Sequence, residues 1–180
     1  MGRAAGMTPA AAPFHRMAQN NAWANETLYA ALAHVGQQAF VAARPGYFGS
    51  LSRTMNHILE VDLYYLDAIE AGGRGRSVYD RKDIVEPTQL GALQSDADAR
   101  LTRVCAELNT DRLSEVRQTI RADTAAVERV DALLLHLFQH QIHHRGQAHV
   151  QLQHAGLSPP QLDEFHLEFE RAPTAKAYFR

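Results

Sequence analysis

Between His136 and His154 the chain repeats imidazole and amide side chains at helical spacing: His136, His140, His143, His144, Gln147, Gln151 and His154. At roughly 100° per residue they share about a third of a helix's circumference. Leu134, Leu135, Phe138, Ile142, Ala148 and Leu152 take up much of the remainder. A polar stripe on so apolar a helix is either a wetted outer face or the lining of an interior site. His140 and His144 stand one turn plus a little apart, so their rings point the same way and can hold one divalent ion. With 10 histidines in 180 residues, pairs at this spacing also arise by chance, and His136 with His140 is another.

His57 favours the interior site. It lies on the flank of an apolar stripe formed by Leu51, Met55, Ile58, Leu59, Leu66 and Ile69, where one bundle helix meets its neighbour. Taken alone it is a packing histidine. With His140 and His144 it completes a three-histidine set suited to zinc, nickel or iron(II). Three protein ligands leave coordination positions open for water or substrate. Ligating imidazoles must be neutral, so ion affinity is expected to fall below about pH 6.5. Each ligand's other ring nitrogen needs a partner, and Glu60, Asp62, Gln141 and Gln147 are candidates. Asp62 projects among Met55, Leu59 and Leu66, where a carboxylate is paired, hydrogen-bonded or beside a metal unless it reaches solvent. Asn21 and Asn25 fall in the apolar arc of an earlier helix, either lining a polar pocket or bridging helices.

Four long segments must position these side chains. The first runs from about Phe14 to Val35, with Phe14, Met17, Ala24, Leu28, Leu32 and Val35 on one side and Gly36 as its stop. Trp23 projects away from that stripe, toward a dimer interface or beneath the C-terminal tail. Arg44-Pro45-Gly46 marks a connection, with Tyr47 and Phe48 packing over its end. The second segment begins at Ser50 or Ser52 as N-cap and ends at Gly72-Gly73. A charged loop over 72–88 follows, closed by Pro87, with Thr88 as the next cap. The third segment shows Leu90, Leu93, Ala97, Leu101, Val104 and Leu108 at bundle spacing. Residues 111–129 read as a small β-hairpin turning over Arg121–Thr124, with a loop of helical start as the alternative. The fourth segment runs from about Asp131 to His154 and stops at Gly156. Beyond Ser158-Pro159-Pro160 an aromatic tail (Phe165, Phe169, Tyr178, Phe179) is expected to fold back. The expected architecture is all-α, a four-helix bundle with a small hairpin before the fourth helix. Residues 1–13 form a flexible lead-in, and 14–180 form one domain.

Composition narrows the function classes. With 46% apolar residues, 21% charged residues and a net charge of −2, the chain is an ordinary globular one. No basic cluster stands out, which argues against nucleic acid as a partner. No apolar run reaches membrane-spanning or signal-peptide character, so no membrane association and a cytoplasmic location are expected. Cys105 is the single cysteine; it excludes an intramolecular disulfide and a cysteine zinc finger, and its place in an apolar pattern makes it a core residue.

Four segments in order resemble the motifs of one family. They are Asn20-Asn21-Ala22-Trp23-Ala24-Asn25, Asn56-His57-Ile58-Leu59, His140-Gln141-Ile142-His143-His144-Arg145-Gly146-Gln147, and Gly156-Leu157-Ser158-Pro159-Pro160-Gln161-Leu162-Asp163. On these the chain, over about residues 14 to 165, resembles the DinB/YfiT-like family of metal-binding four-helix bundles. The resemblance implies an up-down-down-up order of helices, frequent assembly as a homodimer, and a divalent metal on His57, His140 and His144, with His143 outside the ligand set. It also implies thiol-dependent transferases and isomerases that use low-molecular-weight thiols as cosubstrates.

Four functions follow as expectations. One is a metal-dependent thiol S-transferase acting on a small electrophile, with Asn21, Asn25 and Gln147 shaping the pocket. Another is metal-dependent hydrolysis with Asp62 or Glu60 as base. The others are a non-catalytic metal-stabilised dimer and a bundle whose histidine face is merely solvated.

Overall fold

The computed structural model describes residues 8–121 and 124–163. Helix α1 (Ala12–Leu32) opens on Pro13, whose fixed φ and missing N–H suit a first turn. Gly36, at φ +72°, redirects the chain into the short α2 (Gln37–Val41), which drives Phe40 fully into the core. Helix α3 (Leu51–Ile69) is capped by Ser50, whose hydroxyl accepts the Arg53 N–H at 3.2 Å. Ser52, the other expected cap, instead donates to the Ile84 carbonyl at 3.2 Å. Asn56 fastens the same loop to α3: its Nδ2 donates to the Ile84 carbonyl at 2.8 Å and its Oδ1 accepts the Ile84 N–H at 2.9 Å.

Helix α4 (Pro87–Ala106) is capped by Glu86, which accepts the Gln89 N–H at 2.9 Å. This corrects the expected Thr88 cap. Proline belongs at the first helical position, so the cap falls on the residue before it. The buried seam of α4 also differs from the expected one. Leu93 is 39% exposed, and Gln94 and Asp98 turn inward with Leu90, Ala97 and Leu101. A short α5 (Thr110–Ser114) leads into the expected hairpin. Strands β1 (Val116–Arg121) and β2 (Thr124–Arg129) pair antiparallel from Val116↔Arg129 to Arg121↔Thr124. The Tyr64 hydroxyl pins this hairpin to α3, accepting the Ile120 N–H at 2.6 Å and donating to the Ile120 carbonyl at 3.1 Å. Helix α6 (Val130–His154) ends where Gly156 adopts φ +80°.

The four long helices close a ring: α1 lies chiefly on α4 and α3 chiefly on α6, with α3–α4 and α1–α6 contacts between. Cys105 is fully buried, as expected, and burial pushes its thiol up to about 12. Trp23 is 4% exposed, against the first of its two expected places, a dimer interface; the tail that was the second lies outside the described residues. An indole turned away from the leucine stripe is still covered within the one chain. Leu135, Ile142 and Val150 are instead about half exposed, a stripe along the outside of α6. Among the described residues no helix is long and apolar enough to cross a membrane. The aromatic tail beyond Asp163 lies outside the described residues.

Candidate metal centre

Helices α3 and α6 bring His57, His140 and His144 together; one nitrogen from each lies within 4.8 Å of the others. The Nε2 atoms of His57 and His140 are 2.9 Å apart. Nitrogens around a four-coordinate ion at about 2.0–2.1 Å stand roughly 3.3 Å from one another, a spacing bracketed by the cluster. The stripe on α6 is therefore divided by its surroundings. His144 is buried and His140 half-buried against α3, whereas His143 and His154 are exposed.

Burial, and then repulsion from the neighbouring imidazoles, pushes His57 down to about 4 and His140 down to about 3. Burial also lowers His144, against the hydrogen bond it donates to Gln147. The free rings thus stay neutral below the pH 6.5 onset expected from exposed histidine. The sign for the metal-free fold follows. Its unfolded chain takes up protons near pH 6.5, while the folded imidazoles wait until about 3–4. The stability these rings contribute is full above pH 6.5 and is lost as pH falls. Thermal melts of metal-free protein should show this loss, and it should vanish in a variant carrying His57→Phe and His140→Phe.

The neighbours of the three histidines are set by the same two helices and one loop. Gln147, a turn beyond His144, places Oε1 2.9 Å from His144 Nδ1, and its amide contacts His143 Nε2 at 3.0 Å. A proton on His144 Nδ1 leaves Nε2 free for an ion. Of the expected outer partners, Gln147 alone takes that place. Glu60 stands 4.0 Å from Arg81, while Asp62 and Gln141 bond to each other. His140 Nδ1 is buried without a partner. Phe48 covers the cluster, its ring centroid 4.3 Å from that of His57 and 5.4 Å from that of His144. Gly46 suits this loop because its φ of +136° is a backbone conformation that residues with a side chain rarely adopt.

Beneath the histidines lies a buried polar network that absorbs the remaining motif residues. Gln141 and Arg145 follow His140 and His144 by one position each, so they point about 100° away, into the bundle. The Arg145 guanidinium donates to Asn21 Oδ1, to Asn25 Oδ1 at 3.0 Å and to Gln141 Oε1 at 2.9 Å. Asp98 accepts from Asn21 and Asn25 at 3.0 Å and from Gln94 at 3.3 Å. Asp62 Oδ2 accepts from Gln94 at 2.8 Å and from Gln141. Asn21 and Asn25 therefore join helices rather than shape a pocket at the histidines. Arg145 stood in the sequence only as part of the family-like motif, and Gln94 and Asp98 went unremarked. Their signal was the spacing of Leu90, Gln94, Asp98 and Leu101, an inward face with polar members.

Burial dominates the electrostatics of this network. It pushes Asp98 up to about 7 and Asp62 well above its ordinary range, against the bonds and the guanidinium that favour their charge. It lowers Arg145 only to about 10, where the side chain stays cationic. Asp62 Oδ1 is buried without a partner, so an ionised Asp62 would leave a charged acceptor facing no donor. A proton on Asp62 removes that conflict. Folding then takes up a proton, and the associated stability falls as pH rises above the unfolded value. Asp62→Asn mimics the neutral acid and should be neutral or stabilising, by up to about 1 kcal/mol, with a gain larger at pH 8 than at pH 5 in urea melts. A loss that grows toward pH 8 would show that Asp62 is needed as an anion.

The chain is thus a helical ring with a histidine cluster between two of its helices, set against a buried amide and carboxylate network. The DinB family model matches residues 3–175, and the chain belongs to the DinB family. Comparison with curated proteins gives no match.

Proposed function

We infer that the chain is a metal-dependent enzyme that joins a low-molecular-weight thiol to a small electrophile, with His57, His140 and His144 holding a zinc, nickel or iron(II) ion. The observation that carries this reading is the cluster itself, three imidazoles and no carboxylate. Neutral ligands leave an ion its full positive charge, which favours an anionic partner. When bound, the ion supplies Lewis acidity that holds a thiol as its thiolate near neutral pH. Gln147 keeps the His144 ring in place, and Phe48 offers an apolar wall to the electrophile. His136, one turn before His140 on α6, has its ring centroid 5.0 Å from that of Tyr65.

Hydrolysis is less well supported. Of its candidate bases, Asp62 is 1% exposed and bonded into the network, and Glu60 is turned to Arg81. The up-down-down-up order and the homodimer belong to the same proposal. Contacts of α1 and of α3 with both α4 and α6 support the first, and the exposed α6 stripe supports the second. The test is turnover of a fluorogenic electrophile by metal-loaded protein, with and without added cysteine, glutathione and related thiols. Product is expected only when a thiol is present. Thiol-independent turnover would favour hydrolysis, and a retained ion with no turnover across the panel would leave a structural metal site.

A further inference from the structure

In the ring of helices, the α1–α4 seam lies opposite the α3–α6 seam that carries the histidines. Between α1 and α4 is a cleft of about 630 Å³, within the range of small-molecule sites. Its walls are small or apolar, with Ala22, Ala30 and Ala99 around the ring of Tyr29, and its base is Asn25, Gln94 and Asp98. Glu26 and Arg103, one charge of each sign, are also among its lining residues.

The base holds acceptors in surplus. Gln94 is fully buried, yet its Oε1 has no partner, and the buried Tyr29 hydroxyl has none either. Asp98 Oδ1 accepts from three amides, whereas its Oδ2 accepts from Asn25 only. A carbonyl and a carboxylate oxygen with room to accept call for N–H donors, and buried polar atoms without partners are rare enough to need a reason. The lining is also unlike a protein-docking surface. Its one aromatic, Tyr29, is buried, and Ala22, Ser95, Ala99 and Thr102 provide no large exposed anchor of the kind that dominates protein interfaces.

We propose that this cleft is a second ligand site, separate from the histidine cluster, for a small amine whose ammonium group donates to Asp98 and Gln94 while its hydrocarbon body lies against Tyr29 and the alanines. The test uses the full chain, metal-free and zinc-loaded, titrated calorimetrically with 2-phenylethylamine. 2-Phenylethanol and 3-phenylpropionate serve as the neutral and anionic counterparts. The amine is expected to bind saturably, with one site per chain, in both forms of the protein. The alcohol should bind roughly tenfold or more weakly and the carboxylate weaker still. Ala99→Phe, on the exposed rim, should weaken amine binding about tenfold or more without lowering Tm, while His144→Ala should leave it unchanged. The proposal is overturned if no probe binds saturably, if alcohol and amine bind equally, or if His144→Ala abolishes binding. A dimer in sedimentation that Ala99→Phe breaks would also overturn it, because a second copy would then occupy the cleft.

Discussion

Arg145→Met is expected to destabilise the fold by about 3–5 kcal/mol, the range found when one member of a buried charged set is removed. Methionine fills a similar volume but carries no donor, so Asn21 Oδ1, Asn25 Oδ1 and Gln141 Oε1 each lose the Arg145 bond. Asp62 and Asp98 lose the cation that offsets their burial. Both carboxyls would then hold protons more tightly, so the deficit should be smaller at pH 5.5 than at pH 7.5. Equilibrium unfolding in urea at the two pH values measures this directly. An equal deficit at both would mean that lost packing, not lost charge, is responsible. A deficit under about 1 kcal/mol at pH 7.5 would place the network among the weak surface-type interactions.

His144→Ala should cost more than about 100-fold in divalent-ion affinity, since even an outer hydrogen-bond partner is typically worth 10–100-fold. Gln147→Leu, which keeps all three histidines and removes the bonds to His144 Nδ1 and to the exposed His143, should fall within that smaller range. His154→Ala should change nothing, because its ring is exposed at the far end of α6. Competition with a chromogenic chelator, on protein never exposed to a metal column, separates the three. Equal losses from His144→Ala and His154→Ala would mean that the ion sits on the outer histidines rather than between α3 and α6. Retention of the ion at pH 5.5 would fit the lowered His57 and His140, whereas release near pH 6.5 would indicate exposed rings.

Much of the helical architecture was legible before any coordinates. Leu, Ile and Met at three- and four-residue spacing marked the long helices, Gly36 and Gly156 marked corners, and the β-branched stretch around Val116 and Ile120 marked the hairpin. Those features depend on backbone preference and one-dimensional period. The boundary errors were local: Thr88 for Glu86 at the α4 cap, and Leu93 for Gln94 on its inner face.

The histidine spacing on α6 determined by itself that His140 and His144 point one way, because a helix turns by a constant angle. Sequence order also paired Gln141 and Arg145 with them, one position on. Which side of α6 faces the interior was a matter for tertiary structure alone. It depends on Asn21, Asn25 and Asp62 arriving from α1 and α3 to satisfy Arg145 and Gln141, and on Gln94 and Asp98 of α4 holding those three in turn. The nearness of His57 to His140 and the cover of Phe48 were likewise decided only by packing. Contacts between residues 83 apart in the chain depend on how helices rotate against one another, and no local period records that rotation.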